Sequence, residues 1–142
     1  MANELATARA GLKTRLETIT DLTVSLYGGE PLPKKPLAVI TLEQGPRLLA
    51  LGGNSFQAQF KVRLYLSHPG SEVEGWTELE KYIEQVGTKS VIAAIIGDRT
   101  LNASVDTSIV QQPVSIGKAA LDDQGPLYYS ADFLVDVIKS VA

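Results

Sequence analysis

The sequence predicts an α+β domain, a mostly antiparallel β-sheet with an N-terminal helix and one or two further helices packed on one face. Three observations carry this. Phe56, Ala58, Phe60, Val62, Leu64 and Leu66 alternate with polar neighbours, and similar period-two runs recur over 102–109 and 128–137, the pattern of strands with one face turned to a core. Apolar residues at steps of three or four mark helices near the N-terminus and again after residue 71. The order of these segments contains no series of alternating strands and helices of the kind that builds a parallel sheet.

Each element can be justified in turn. Leu5, Ala8, Leu12, Leu16 and Ile19 form one stripe of a first helix, with Asn3 as its N-cap. Residues 23–27 read as a short strand, and 28–36, with two glycines and three prolines, as an exposed loop. Residues 37–43 are β-branched and apolar, a strand, and Gln44, Gly45 and Pro46 read as a turn into a further extended stretch over 47–51. Gly52, Gly53 and Asn54 break the chain before the long alternating strand 56–66. His68, Pro69 and Gly70 stop that strand, and Ser71 with Glu74 forms a capping box for a helix whose face is Val73, Trp76, Leu79, Ile83 and Val86. Gly87 is the expected C-terminal stop. The stretch VIAAIIG after Ser90 is apolar on all sides, so its period does not separate helix from strand; the serine cap favours a helix. Two long strands over 102–109 and 128–137 follow, joined by a hairpin connection over 117–126 that holds Asp122, Asp123, Gly125 and Pro126.

Composition narrows the class of protein. A chain of 142 residues suits one domain spanning 1–142, which would bury about two thirds of its unfolded surface. With 44% hydrophobic and 20% charged residues of mixed sign, it is expected to fold rather than stay disordered. The absence of cysteine excludes disulfides, thiolate nucleophiles and cysteine-ligated metals and fits assembly in a reducing cytoplasm. No apolar run suits a secretory signal or a membrane span, so no membrane partner is expected. A formal charge of −3 has the wrong sign for a protein that binds by neutralising phosphates.

Residues that could carry chemistry are few. His68 is the single histidine and sits in a turn motif, so neither a catalytic triad nor a histidine-rich metal site has its partners. Asp122 and Asp123 lack the spacing of a calcium loop, and the glycine pairs at Gly28 and Gly29 and at Gly52 and Gly53 lack the residues of a phosphate cradle. No catalytic, cofactor or metal site is expected, and the chain is not expected to be an enzyme. Trp76 reads as packing. Strands of this length in a chain of this size leave edges that must be paired or exposed, and pairing with a neighbouring subunit is one solution. The candidate contact residues lie in the two loops that a monomer core explains least: Gly28, Gly29, Glu30, Lys34 and Lys35 in the first, and Gly45, Arg47, Gly52 and Asn54 in the second.

The segments PLPKKPLAVIT, FQAQFKVRLYL, SVIAAIIGDRTLNASVDTSIVQQ and YYSADFLVDVI, with the amphipathic N-terminal helix before them, resemble the tail terminator or tail completion family of long-tailed phages over nearly the whole chain. The resemblance implies a ring of about six subunits, a homohexamer, in which each interface is heterologous. It implies a virion protein at the head–tail junction that caps the tail tube protein, ends its polymerisation and meets a head completion or connector protein. DNA would pass through without specific binding, a passage that a negatively charged lumen would favour. Alternatives are a head closure protein or a tube subunit of similar design, and, outside phages, a soluble binding module or chaperone that takes an extended peptide along a free strand edge.

Overall fold

A computed structural model describes residues 4–19, 22–26, 36–48, 55–66, 72–101, 103, 105–120 and 127–140. The first element is helix α1 (Glu4–Leu16), and its stripe behaves as the spacing predicts: Ala8, Leu12, Leu16 and, one turn beyond, Ile19 are buried, while Leu5 packs at the margin. Strand β1 (Thr23–Leu26) follows, then β2 (Leu37–Leu48) and β3 (Ser55–Leu66). Helices α2 (Glu72–Ile83) and α3 (Val91–Ile96) come next, before β4 (Thr107–Val110), β5 (Val114–Ala120) and β6 (Leu127–Ser140).

The strands form one six-stranded sheet in the order β1-β2-β3-β6-β4, with β5 also pairing β6. Because β3 pairs β6 along its length, β4 and β5 share the other side of β6, β4 beside residues 135–138 and β5 beside residues 127–132. The architecture is α+β, as predicted, and the pairing is antiparallel except for β1, which lies parallel to β2 with Thr23 opposite Leu37. All three helices contribute to a core on one face of the sheet. There Leu12 and Leu16 from α1, Leu79 and Tyr82 from α2, and Val91 and Ile95 from α3 join Phe60, Val62 and Leu64 from β3 and Tyr129, Phe133 and Val135 from β6. Each such side chain contributes about 1.5–3 kcal/mol by leaving water. The alternation in β3 and β6 sets this arrangement, since even-numbered residues of β3 and odd-numbered residues of β6 share the core face.

Four expectations are corrected. Gln44, Gly45 and Pro46 are not a turn, and Arg47 does not open a separate strand: β2 runs unbroken to Leu48, with one extra residue between Leu42 and Gln44 and another before Arg47, while residues 49–51 lie outside the described residues. These are bulges, and Pro46 is tolerated because β1 accompanies β2 only over residues 37–40, which leaves the outer side of the bulged stretch without a ladder to donate to. The long strand over 102–109 shrinks to β4, four residues. Leu101 and Ala103 have φ of 50° and 63°, left-handed values that no strand accepts. Local hydrogen bonds hold them there: Asp98 Oδ1 accepts from the Thr100 N–H at 3.1 Å, and Thr100 Oγ1 accepts from the Ala103 N–H at 3.2 Å. The expected inward face is also inverted at its end, since Ser108 is buried and Ile109 exposed. The connection over 117–126 is part strand, because residues 114–120 form β5, paired to β6 through a bulge between Val114 and Gly117. Finally α2 ends at Ile83 rather than near Gly87, so Val86 leaves the helix face assigned to it. Asn3, His68, Ser71, Asp122 and Asp123 lie outside the described residues.

Candidate assembly surface

The surface that stands out is built where α2, α3 and the β4 edge meet. Past Ile83 the chain leaves the helix, and Gly87 at φ of 117°, a value that side chains other than glycine's resist, turns it toward α3. Ser90 joins the two helices: its hydroxyl donates to the Glu84 carbonyl and accepts from the Ala93 N–H at 3.0 Å, capping α3 while closing the turn that follows α2. Ser90→Ala should therefore cost about 1–2 kcal/mol in urea unfolding, whereas Thr88→Ala in the same turn should cost less than about 0.5. Arg15 fastens the other end. Its Nε donates to the Ala94 carbonyl at 3.0 Å, and its guanidinium lies so close to Gly97 that a Cβ there would sit 2.7 Å from Nη2.

Four residues of α3, Val91, Ile92, Ala94 and Ile95, are buried, and its last, Ile96, points outward, 46% exposed. Ile96 and Val86, the latter 73% exposed, line an open groove of about 680 Å³ with Ile83 and Ile92 on the helical wall and Val110 and Pro113 on the sheet wall. Among the described residues, Gln85 and Gln112 supply the polar side chains of its lining and no charged residue takes part. Ile109 is exposed at the same edge on the opposite face of β4, Val114, opposite Asp132, lies on that same face, and Ile116 is exposed farther along β5. Of the seven large hydrophobic side chains exposed among the described residues, five belong to this flank; Leu42 and Trp76 are the others. Trp76 does pack, edge to face with Tyr129 at 5.2 Å between ring centres, but it remains 36% exposed.

The sheet face away from the helices has a different character. Arg63 Nε and Nη2 donate to the two oxygens of Asp132 at 2.7 and 2.9 Å, a bidentate pair in which the carboxylate is buried. The Asp132 hydrogen bond, opposed by burial, holds the guanidinium protonated well above the usual arginine range. Asp136 accepts from Gln59 at 3.0 Å and from Gln111 at 2.7 Å, and Lys61 lies 3.4 Å from Glu43. Farther along, Leu37, Val39 and Tyr65 form a small apolar cluster that Tyr128 packs against, with the Tyr65 and Tyr128 rings edge to face at 6.3 Å. Two acids on this face are thus paired with cations, and the Asp136 carboxylate is hydrogen-bonded by two neutral amides. Among the described residues no three of histidine, cysteine, aspartate and glutamate gather where they could hold a metal ion. No helix of the described residues is long and apolar enough to cross a membrane.

Seven of the contact residues expected from sequence, Gly28, Gly29, Glu30, Lys34, Lys35, Gly52 and Asn54, lie outside the described residues. Gly45 sits exposed in the bulged part of β2, with open space where a Cβ would be, and Arg47 pairs with Gln57 in the ladder. Neither is near the apolar flank, because β2 and β4 are separated by β3 and β6. Sequence reasoning missed the groove altogether. Val86 reads as part of a helix face and Ile96 as part of a stretch apolar on all sides, and no signal in a single sequence separates an apolar residue that is covered from one that is not. Comparison with protein-family models finds no match, and no curated protein is significantly similar to the chain.

Proposed function

We propose that the chain is a structural subunit of a closed ring of about six copies at the head–tail junction of a long-tailed phage, a tail terminator without enzymatic activity. The observation that carries assembly is the apolar groove between the helices and the β4 edge, lined by the exposed Val86 and Ile96, with Ile109 exposed on the other face of the same edge. Such a patch on one side of a subunit marks an interaction surface rather than scattered surface apolarity. In a ring it meets a different surface of the next copy, because rotational closure beyond two subunits makes every contact heterologous. The resemblance of the sequence to tail terminators supplies the place and partners: the tail tube protein on one side, a head completion or connector protein on the other, and DNA passing between. A face whose two described cations, Lys61 and Arg63, are each paired with an acid is compatible with DNA sliding past without specific binding.

The test is the mass of the purified protein by light scattering over a concentration series, with negative-stain images of the same sample. Closed rings of about six subunits support the reading. Open cylinders would replace it with a tube subunit, and a monomer at all concentrations would sink it in favour of a binding module. Ile96→Glu should dissociate the rings, since a charge at a desolvated contact costs about 2 kcal/mol or more, while the melting temperature of the subunit stays within a few degrees.

A further inference from the structure

α3 has six residues, far below the length at which a helix is stable by itself, so its last turn depends on what closes it. Three carbonyls there each find a donor. Ala93 accepts from the Gly97 N–H at 2.9 Å, and Ile95 accepts from the Asp98 N–H at 3.2 Å. The Asp98 amide thus passes over Ala94, whose carbonyl would be its partner in a continuing helix, and Arg15 Nε donates to that carbonyl instead, at 3.0 Å. A cationic donor suits this end of a helix, where the carbonyl dipoles converge. Gly97 makes room for it. Its φ of −57° and ψ of −27° are right-handed helical values open to any residue, so no left-handed turn requires glycine here. What a side chain would meet is Arg15 Nη2, 2.7 Å from the Cβ position, with the Ala93 carbonyl at 3.2 Å.

Ile96 sits at this helix end, between Ile95, which the core holds, and Gly97. From Ile96 to Thr100 no side chain is buried, and the next residue anchored in the core is Leu101. We infer that Arg15 is a positioning residue for the groove: by closing α3 at Ala94 it fixes the direction of Ile96, so that ring assembly depends on a side chain that does not itself line the groove. This deepens the ring reading and rests on it.

Two substitutions break the contact from opposite sides. Arg15→Met removes the donor and keeps an aliphatic stem, whereas Gly97→Ala displaces the guanidinium with a methyl group and leaves Arg15 in the chain. Each should raise the midpoint concentration for ring assembly, read by light scattering, by about tenfold. The two together should do no more than the stronger alone, since a single contact is lost in all three proteins. Arg15→Lys, which still brings a charged donor to the carbonyl, should recover part of the assembly. In the dissociated Ile96→Glu protein the same changes should lower the melting temperature by no more than about 5 °C, because a helix end can fray without opening the core. Hydrogen exchange reads that end directly: the Gly97 and Asp98 amides should exchange about tenfold faster in Arg15→Met. Rings that form at the wild-type concentration in both variants would overturn the role of Arg15 and leave the ring standing, and so would a loss of assembly accompanied by a larger fall in melting temperature. Wild-type protein that forms no rings would overturn the ring reading and the part of Arg15 in assembly with it, and unchanged exchange at Gly97 and Asp98 would overturn the positioning itself.

Discussion

Phe60→Ala should lower the free energy of unfolding by about 3–5 kcal/mol, the usual cost of deleting a buried aromatic ring whose site cannot collapse. Phe60 is fully buried at the middle of β3, opposite Val135 of β6 and Leu42 of β2, so its ring is held from two strands beneath the helices. The surrounding backbone is fixed by ladders on both sides and can close little of the void. Gln59→Ala, one residue earlier, removes a single hydrogen bond to Asp136 on the other face and should cost less than about 1 kcal/mol. Urea unfolding of the pair is a direct measurement of strand register, since a slip of one residue would exchange the two faces. Comparable losses in the two variants would contradict the arrangement described above.

The second large effect is expected at the ion pair on the opposite face. Arg63→Met should cost about 2–4 kcal/mol, because it leaves the Asp132 carboxylate, 5% exposed, without the fork that satisfies it. The value lies toward the lower side of that for fully buried pairs because the Arg63 side chain is 36% exposed and water reaches the guanidinium. Pairing Arg63→Met with Asp132→Leu should recover most of the loss, since removing both partners abolishes the stranded charge instead of creating it. The pH dependence has a definite sign. Asp132 raises the pKa of Arg63 above its ordinary value, so on the arginine side the stabilisation is complete below that value and disappears only as pH climbs through the higher folded-state value. The difference in stability between wild type and the double variant should therefore be the same at about pH 7 and about pH 10. A difference that fell between those two values would show that the arginine is not held in its charged form by this contact.

These predictions rest on positions that differ in how far the sequence anticipated them. The core face of β3 could be read directly, because Phe60, Val62 and Leu64 alternate with Lys61, Arg63 and Tyr65 over a run long enough that no helix period fits. The same holds for β6 and for the α1 stripe, and the cap at Ser90 was enough to assign α3. Partnerships across the sheet could not be read. Nothing local links Arg63 to Asp132, 69 residues later, or Gln59 to Asp136, because cross-strand pairing depends on register and order, which are non-local.

The errors have the same origin. Residues 102–109 alternate like a strand, yet Asp98 and Thr100 spend their side chains on turns that fold most of that run away from the sheet. Gly45 and Pro46 look like a turn, yet a strand with one free side absorbs them as a bulge. Val86 reads as part of the α2 face, yet the helix ends at Ile83 and leaves it exposed. By itself, then, the amino-acid sequence determined the fold class and the inward faces of β3, β6 and the first helix, because hydrophobic period and capping act within a few residues. Only the tertiary structure decided the strand order, the parallel β1–β2 pair, the ion pairs and which apolar side chains remain uncovered. Each of these depends on which distant segments come to lie side by side, and burial is a property of neighbours rather than of the residue that is buried.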